Sequence, residues 1–311
     1  MTALCWLAIA PGLVWLAVRL LGVESGPGVQ VIAFTPYAAA WTLVPAVLAL
    51  ALRRWRAAAV AGLVVVGFAA GVLPRAIPGD PGPASGSALR VLTANVLAGT
   101  ADPAALADLV RRERVDVLAL QEFTPQIEMA LDGHGLTTVL PHRVAAPLPG
   151  TPGSALYSRF PLTATGVRAN EGGFRQAYGT LTVPGAAPVQ VESVHPLAPY
   201  APRVVPLWRA DLAAQPAATP DGPVRILIGD FNATLDHAAL RRLIDTGYHD
   251  AADVAGAGLV GTWGPYDGDP IPPVTIDHVL VDRRIGVRAV AVHHLRGSDH
   301  RPLLAELVLP T

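Results

Sequence analysis

The sequence contains no lysine and a single cysteine, Cys5, and only 15% of its 311 residues are charged. One cysteine excludes a disulfide framework and a cysteine-rich zinc site. Residues 1–80 hold five arginines but only Glu24 and Asp80, which leaves 18 arginines and 22 acidic residues in the rest of the chain. Because nucleic-acid affinity depends largely on basic side chains that meet phosphates, this balance makes nucleic acid an improbable partner without excluding it.

Hydrophobic residues make up 51% of the chain, which is too many for a disordered protein. They are concentrated in three N-terminal runs, at 3–21, 31–52 and 57–73. A bilayer core is crossed by about 20 apolar helical residues, so each run is about long enough. A single run would be typical of a signal peptide or a buried helix, but three in succession favour a membrane anchor. We predict three transmembrane helices within residues 1–76, with the lipid bilayer as a partner.

Arginines between the second and third runs indicate an orientation for this anchor. Arg53, Arg54 and Arg56 lie in a short connection, and such connections tend to stay in the cytoplasm. This places the rest of the chain outside the cell, although Arg19 and Arg75 would then lie near the outer face. We therefore predict a multi-pass protein of the cell membrane with an extracytoplasmic domain.

The segment 77–88 is rich in Pro, Gly and Ser and has little to bury, so it is typical of a linker. Residues 89–311 follow as one domain without an internal repeat, which we expect to be monomeric.

Asp102 and Pro103 form a typical helix start, and helices are also plausible at 203–214 and 236–244. Nine apolar runs with β-branched residues predict strands at 89–94, 115–120, 154–158, 178–183, 189–194, 224–228, 276–281, 286–292 and 303–308. This pattern predicts an α+β fold with helices on the outer faces of sheets.

Polar residues lie where these apolar strands begin or end. They are Asn95, Glu122, His195, Asp230, Asn232, Asp277, Asp299 and His300. If the strands meet along one edge, these side chains lie close together. Carboxylates, amides and imidazoles are suited to binding a hard divalent cation and to acid–base chemistry.

Six segments around these residues, TANV, LALQE, SVHPLAP, IGDFN, TIDHVL and GSDHRPL, occur in the order and spacing of a known family. Residues 88–311 resemble the endonuclease/exonuclease/phosphatase (DNase I-like) superfamily. The resemblance implies a four-layer α/β/β/α sandwich and Mg²⁺-dependent hydrolysis of phosphate esters or anhydrides, with Mn²⁺ as a possible substitute. With three membrane helices ahead of it, the domain also resembles the teicoplanin-resistance membrane proteins, which implies a lipid pyrophosphate substrate outside the cell.

The superfamily resemblance implies a metal site made of Glu122 with Asn95 beside it and Asp299 as a second carboxylate. Mg²⁺ prefers oxygen ligands and keeps several waters, so one or two carboxylates suffice.

The same resemblance implies roles in catalysis for five residues. Asp230 and Asn232 would align the attacking water, and Asp277 would orient the ring of His300 beside the phosphate. His195 would bind a phosphoryl oxygen. Which histidine takes or gives the proton stays open.

Each residue also has an ordinary structural interpretation when taken alone. Asp230 and Asn232 are typical of a turn, His195 could be a buried core histidine, and Asp299 with His300 could belong to a surface ion pair.

At the level of function, the favoured hypothesis is a membrane-anchored phosphohydrolase that acts on a phosphorylated lipid. A DNase-like nuclease, a sphingomyelinase-like phosphodiesterase and a catalytically silent lipid-binding domain are the alternatives.

Overall fold

The structure is a computed structural model and describes residues 2–264 and 270–311. The N-terminal part of the chain is helical and ends in a short 3-10 turn, Leu73–Ala76. Its helices are α1 (Thr2–Leu21), α2 (Gly28–Ile32), α3 (Thr35–Trp41), α4 (Leu43–Ala51) and α5 (Trp55–Val72).

The prediction of three membrane-spanning helices is wrong. Among the described residues, two helices are long and apolar enough to cross a membrane, Ala3–Leu21 and Trp55–Ala76. The predicted span 31–52 is divided among α2, α3 and α4, and its longest apolar helical stretch is Thr35–Ala51.

Side chains and prolines within the second run explain this division. The Thr35 hydroxyl donates to the carbonyl of Ile32 at 2.6 Å, just where α2 ends. Pro36 lies in the first turn of α3 and Pro45 in the first turn of α4, where a missing N–H costs little, so both helices begin next to a proline. The apolar pattern alone therefore could not show that this segment bends.

The two long helices lie parallel to each other. Near the start of α1, Cys5 and Ile9 pack against Ala57 and Ala61 of α5. Further along both helices, Leu16 packs against Val64 and Phe68. The C-terminal ends of both helices therefore lie at the same end of the helical unit, and α3 and α4 return between them.

The rest of the chain forms two six-stranded sheets. The first has the strand order β11-β12-β1-β2-β4-β3 and the second β5-β6-β7-β8-β10-β9. The strands are β1 (Ser87–Asn95), β2 (Val117–Gln121), β3 (His142–Ala146), β4 (Ser154–Ser158), β5 (Leu162–Ala169), β6 (Arg175–Leu181), β7 (Val189–Val194), β8 (Val224–Asp230), β9 (Tyr248–Asp250), β10 (Asp277–Asp282), β11 (Gly286–Val292) and β12 (Leu303–Leu309). The helices are α6 (Pro103–Arg112), α7 (Pro125–Gly133), α8 (Leu136–Val139), α9 (Val205–Ala213), α10 (Ala238–Ile244) and α11 (Ala251–Val254).

Three apolar cores hold these layers together. Between the sheets, side chains such as Val91 and Leu156 pack with Ile226 and Val279. A second core joins the outer face of the first sheet to α6 and α7, and a third joins the second sheet to α9 and α10 around Trp208. The four-layer α/β/β/α prediction is confirmed, and all nine predicted strands are present with ends shifted by at most a few residues.

The segment 77–88 follows the surface of the sandwich. The N–H of Gly79 donates to the carbonyl of Val254, and the carbonyl of Pro81 accepts from Val287, both at 2.8 Å. Ser87 already belongs to β1. Backbone hydrogen bonds therefore fix part of this segment against the domain.

Candidate active site

The site lies where the central strands of both sheets end. β1 and β2 run parallel in the first sheet, as do β7 and β8 in the second, so their carboxyl ends meet at one rim. The antiparallel strand β10 begins at that rim, with Asp277 directly opposite Asp230. A side chain at Gly229 would collide with the backbone of Val194, so glycine is required for β7 and β8 to lie this close.

Asp230 is at the centre of the site and is almost fully buried. Its Oδ2 accepts a hydrogen bond from Asn95 Nδ2 at 3.0 Å, and it lies 3.6 Å from His195 Nε2 and 3.7 Å from His300 Nε2. Its Oδ1 accepts from the backbone N–H of Asn232 at 2.8 Å. Burial raises the pKa of Asp230 to about 7, although the positive charge of His300 acts in the opposite direction.

His300 forms a buried pair with Asp277. His300 Nδ1 lies 2.8 Å from Asp277 Oδ2, and Asp277 is held in turn because its N–H donates to Thr262 Oγ1. Burial alone would lower the pKa of His300, but Asp277 and Asp230 raise it to about 10. His300 is therefore an imidazolium at neutral pH, with Nε2 directed toward Asp230.

His195, in contrast to His300, is neutral. Its ring is buried, Phe174 packs edge-on against it at 4.6 Å between ring centroids, and its Nδ1 has no hydrogen-bond partner among the described residues. Burial, reinforced by the charge of His300, lowers the pKa of His195 to about 3. The site therefore places a neutral imidazole and a charged one on either side of a single carboxylate.

Glu122 and Asp299 are carboxylates that fit a cation. Glu122 accepts hydrogen bonds from Ala98 N at 2.7 Å and from Asn95 Nδ2 at 3.3 Å, and burial raises its pKa. Asp299 Oδ2 accepts from Trp263 Nε1 at 2.9 Å, whereas its buried Oδ1 accepts no hydrogen bond among the described residues and lies 4.0 Å from His300 Nε2. The charge of Asp299 also acts to raise the pKa of Glu122, so the two carboxylates interact, and carboxylate oxygens are the ligands that Mg²⁺ prefers.

A second group could also hold a metal ion. Asp230, Asp277 and His300 each offer a ligand atom within 4.8 Å of the others. However, the closest atoms of Asp277 and His300 already form a hydrogen bond, which a metal ion would have to displace. Among the described residues, no hydrogen bond joins Glu122 to Asp299.

Several residues around the site have a left-handed backbone. Leu97, Ala98, Glu122 and Asn232 have φ between +46° and +57°. A left-handed conformation costs roughly 1–2 kcal/mol for most non-glycine residues, less for asparagine. Such strain is typical of functional sites, and here it directs the Glu122 carboxylate and the Ala98 N–H toward each other.

These side chains border a cleft of about 740 Å³, a size typical of small-molecule sites. Six of the eight residues singled out in the sequence line it, and the other two support them from behind: Asn95 bonds to Asp230, and Asp277 bonds to His300. The lining residues are Glu122, His195, Asp230, Asn232, Asp299 and His300. All eight are therefore brought together.

One wall of the cleft comes from an unexpected part of the chain. Val29, Gln30, Ala33 and Phe34, in and just after α2, line it beside His237. His237 Nε2 lies 2.8 Å from the carbonyl of Val29, which joins the helical unit to the domain here. The sequence marked this region as apolar but gave no signal that it reaches the site.

Sequence reasoning also missed Phe174 and Trp263, for which a single sequence offers no motif.

The histidine next to Asp277 takes no part in the cleft. His278 Nδ1 lies 2.6 Å from Asp250 Oδ2, and its Nε2 lies 2.8 Å from the carbonyl of Ala233. Among the described residues, two buried histidines thus lie at hydrogen-bond distance from an aspartate, His300 at the cleft and His278 behind it.

Comparisons with known proteins agree with this fold. The fold is similar to that of an endonuclease/exonuclease/phosphatase from Beutenbergia cavernae DSM 12333, with 19% identity and a TM-score of 0.56 over 72% of each chain. It is also similar to TDP2 of Caenorhabditis elegans, with 18% identity and a TM-score of 0.55 over 71% of this chain and 97% of that one. TDP2 of D. rerio complexed with a single-strand DNA product gives 15% identity and a TM-score of 0.55, over 71% and 99%.

At such identities these likenesses show the fold alone, and none of the curated proteins matches the chain. The family assignment comes instead from the sequence model described as "Endonuclease/Exonuclease/phosphatase family", which matches residues 92–300. Since this match covers more than half of the chain and includes all eight residues of the site, from Asn95 to His300, the protein belongs to the endonuclease/exonuclease/phosphatase family.

Proposed function

We propose that this protein is a membrane-anchored, divalent-metal-dependent phosphohydrolase whose substrate is a lipid phosphate or lipid diphosphate at the outer membrane surface. The family's reaction is the hydrolysis of phosphoester bonds. The finer points, which are the metal, the anchoring and the lipid, rest on the observations that follow.

The polar residues of the cleft are suited to phosphoryl transfer, which needs neutralised phosphate oxygens, an aligned water and help to the leaving group. Glu122 and Asp299 would hold Mg²⁺ or Mn²⁺, which supplies positive charge to the phosphate oxygens when bound. Asp230 and the Asn232 amide would orient the attacking water. The imidazolium of His300, fixed by Asp277, would stabilise the phosphate or protonate the leaving oxygen.

The lipid substrate is supported by one observation above all. The cleft that holds these polar groups has a wall made of Val29, Ala33 and Phe34, between two helices long enough to cross a membrane. A phosphate bound at His300 therefore lies beside an apolar surface. A water-soluble phosphoester has no apolar surface to bury against these side chains, whereas the first carbons of a lipid would be buried there.

Anchoring is supported by the surface of the helical unit. Most of the large hydrophobic side chains that are exposed among the described residues lie between Leu4 and Ile77. Soluble monomers rarely expose apolar patches of this extent, and a bilayer would cover it. Arg53, Arg54 and Arg56 lie at the end of the unit remote from the domain, which supports an extracytoplasmic domain.

Arg19 and Arg75, whose predicted position near the outer face counts against this orientation, form ion pairs. Arg19 and Arg75 both pair with the buried carboxylate of Asp236 in the domain. The single carboxylate offsets one of the two positive charges, and the pairing gives both guanidinium groups a structural reason to lie against the domain. The further likeness to teicoplanin-resistance membrane proteins stays a prediction.

A nuclease function is the second candidate, since one structural neighbour is a TDP2 complexed with single-strand DNA. No arginine lines the cleft among the described residues. Because a DNA backbone is bound mainly by basic side chains, this lining is less suited to nucleic acid than to a phosphate held by a metal ion.

The test uses the full-length protein in detergent with three substrates: undecaprenyl diphosphate, a phospholipid diester and plasmid DNA. We expect Mg²⁺-dependent phosphate release from the lipid diphosphate, without nicking of the plasmid. Asp230→Ala should abolish release, while Asp245→Ala, which removes an exposed carboxylate outside the cleft, should not. Nicking at physiological salt would favour the nuclease, and the absence of turnover on all three substrates would contradict the proposal.

A further inference from the structure

A second apolar depression, of about 410 Å³, lies on the helical unit next to the cleft. We call it the tail groove. It is lined by Pro11, Gly12, Trp15, Phe34, Tyr37, Ala38 and Trp41. Gly12 makes the groove possible, because a side chain there would collide with Thr42 Cγ2 at 2.8 Å and separate α1 from the chain that returns beside it.

The tail groove and the cleft are parts of one continuous surface. Phe34 lines both. The Tyr37 hydroxyl donates to the carbonyl of Pro273 at 2.7 Å, and the adjacent Val274 lines the cleft. A molecule with its polar end at His300 can therefore extend past Phe34 without leaving the protein surface.

The polar atoms of the groove are already used. Trp15 Nε1 donates to Thr35 Oγ1 at 2.9 Å, and the Tyr37 hydroxyl is bound to Pro273. The other lining side chains are hydrocarbon, apart from the indole N–H of Trp41. The groove thus offers aromatic and aliphatic surface to a ligand that needs few hydrogen bonds, and a polar headgroup would lose its water there without compensation.

We propose that the tail groove binds the first carbons of the hydrocarbon chain of the molecule whose phosphate lies in the cleft. This inference rests on the proposed function, since it assumes a lipid substrate and identifies the surface that binds its hydrocarbon chain. It adds a specificity determinant: the enzyme distinguishes substrates by the chain attached to the phosphate, and not by the phosphate alone.

The test compares butyl, octyl and hexadecyl diphosphate, presented to the full-length protein in the same mixed micelles. In the wild type, kcat/KM should rise with chain length until the groove is filled, by less than the roughly tenfold for every two methylenes that transfer from water would give, because the micelle already shields the chain from water. Ala38→Phe fills the groove and should lower the hexadecyl-to-butyl ratio of kcat/KM by at least about tenfold. Ala40→Phe places the same ring at an exposed position of the same helix and should leave the ratio unchanged.

A binding measurement separates this inference from the proposed function. Bromohexadecyl phosphonate should quench the fluorescence of Trp15 and Trp41 in the wild type and in Ala40→Phe, and less in Ala38→Phe. If no diphosphate is hydrolysed but Ala38→Phe still shows less quenching than Ala40→Phe, the proposed function is wrong, while the assignment of the tail groove as a hydrocarbon-binding site is supported. The groove is overturned if both variants have the wild-type chain-length profile and quenching, or if bromohexadecane, which lacks the phosphonate, quenches equally well.

Discussion

Arg19 Nε in α1 and Asp236 Oδ1 in the loop before α10 lie 2.5 Å apart, and both side chains are buried. Arg75, at the end of the second long helix, completes the cluster with bonds of 2.8 and 2.7 Å to the two oxygens of Asp236. Asp236 follows Asn232 by only four residues. The ends of both long helices are thereby fixed to the loop that carries part of the active site.

Asp236→Asn should strongly destabilise the protein. Burial alone would raise the pKa of Asp236, but its hydrogen bonds and proximity to Arg75 and Arg19 lower it, so the carboxylate is charged at neutral pH. Its loss leaves two buried guanidinium groups uncompensated, which should cost about 3–5 kcal/mol of the free energy of unfolding. Chemical denaturation in detergent would measure this.

The matched control is Asp108→Asn, which breaks the exposed pair with Arg111 and should cost about 0–1 kcal/mol. Equal effects of the two substitutions would show that the buried cluster does not hold the helical unit on the domain.

Asp277→Asn should lower kcat by about 10²–10⁴-fold, because His300 loses the carboxylate that orients its ring and stabilises its charge. The pKa of His300, about 10 in the wild type, falls when Asp277 is neutral. If the imidazolium is the active form, activity is lost as pH rises through this pKa. The alkaline limb of the pH–kcat profile should therefore move to lower pH.

The second His–Asp pair provides the control for this prediction. Asp250→Asn removes the carboxylate beside His278, behind the cleft, and should reduce stability without moving the alkaline limb. A shift of equal size in both variants would mean that the limb does not report on His300.

Glu122→Gln should raise the Mg²⁺ concentration needed for half-maximal activity by roughly 10–100-fold, by analogy with the loss of a carboxylate next to a metal. Mg²⁺ titration after treatment with a chelator measures this. Glu128→Gln removes a carboxylate that pairs with Arg143 and lies outside the cleft lining, and it should not change the titration. Identical titrations for the wild type and Glu122→Gln would contradict the metal assignment.

His195 should make the protein less stable in acid. Its pKa is about 3 in the folded state and about 6.5 in the unfolded chain, so the unfolded state binds the extra proton first as pH falls. The stability that neutral His195 provides is present above pH 6.5 and is lost toward pH 3. In His195→Asn, the slope of unfolding free energy against pH in this window should flatten by up to about 1.4 kcal/mol per pH unit. An unchanged slope would show that the ring is not buried as a neutral group.

The fold could be predicted where strands are apolar and buried. β4, β7 and β11 have the predicted ends: at least half of the residues in each are apolar, and Gly153 before β4 and Pro188 before β7 mark where those strands begin. Three other strands had no such pattern. β5 lies at a sheet edge, is largely exposed, and has a register shift between Thr163 and Gly166, while β9 is only three residues long.

The polar part of the site could also be predicted, because its residues follow or precede strands whose ends must meet. The contribution of Val29 and Phe34 could not. Val29 is held at the cleft by its carbonyl, which lies 2.8 Å from His237 Nε2, 208 positions away in the chain, and the sequence around Val29 and Phe34 conveys only that it is apolar. Hydrophobicity shows that a residue avoids water, but not which surface covers it.

The cluster of Arg19, Arg75 and Asp236 has a consequence for the anchored enzyme that we propose. Because both long helices end on the domain and the chain between them returns to it, the catalytic rim cannot swing freely on a flexible stalk. It stays at a constant height above one leaflet of the bilayer. Lipids with their headgroups in the opposite leaflet would have to be flipped across before this enzyme could reach them.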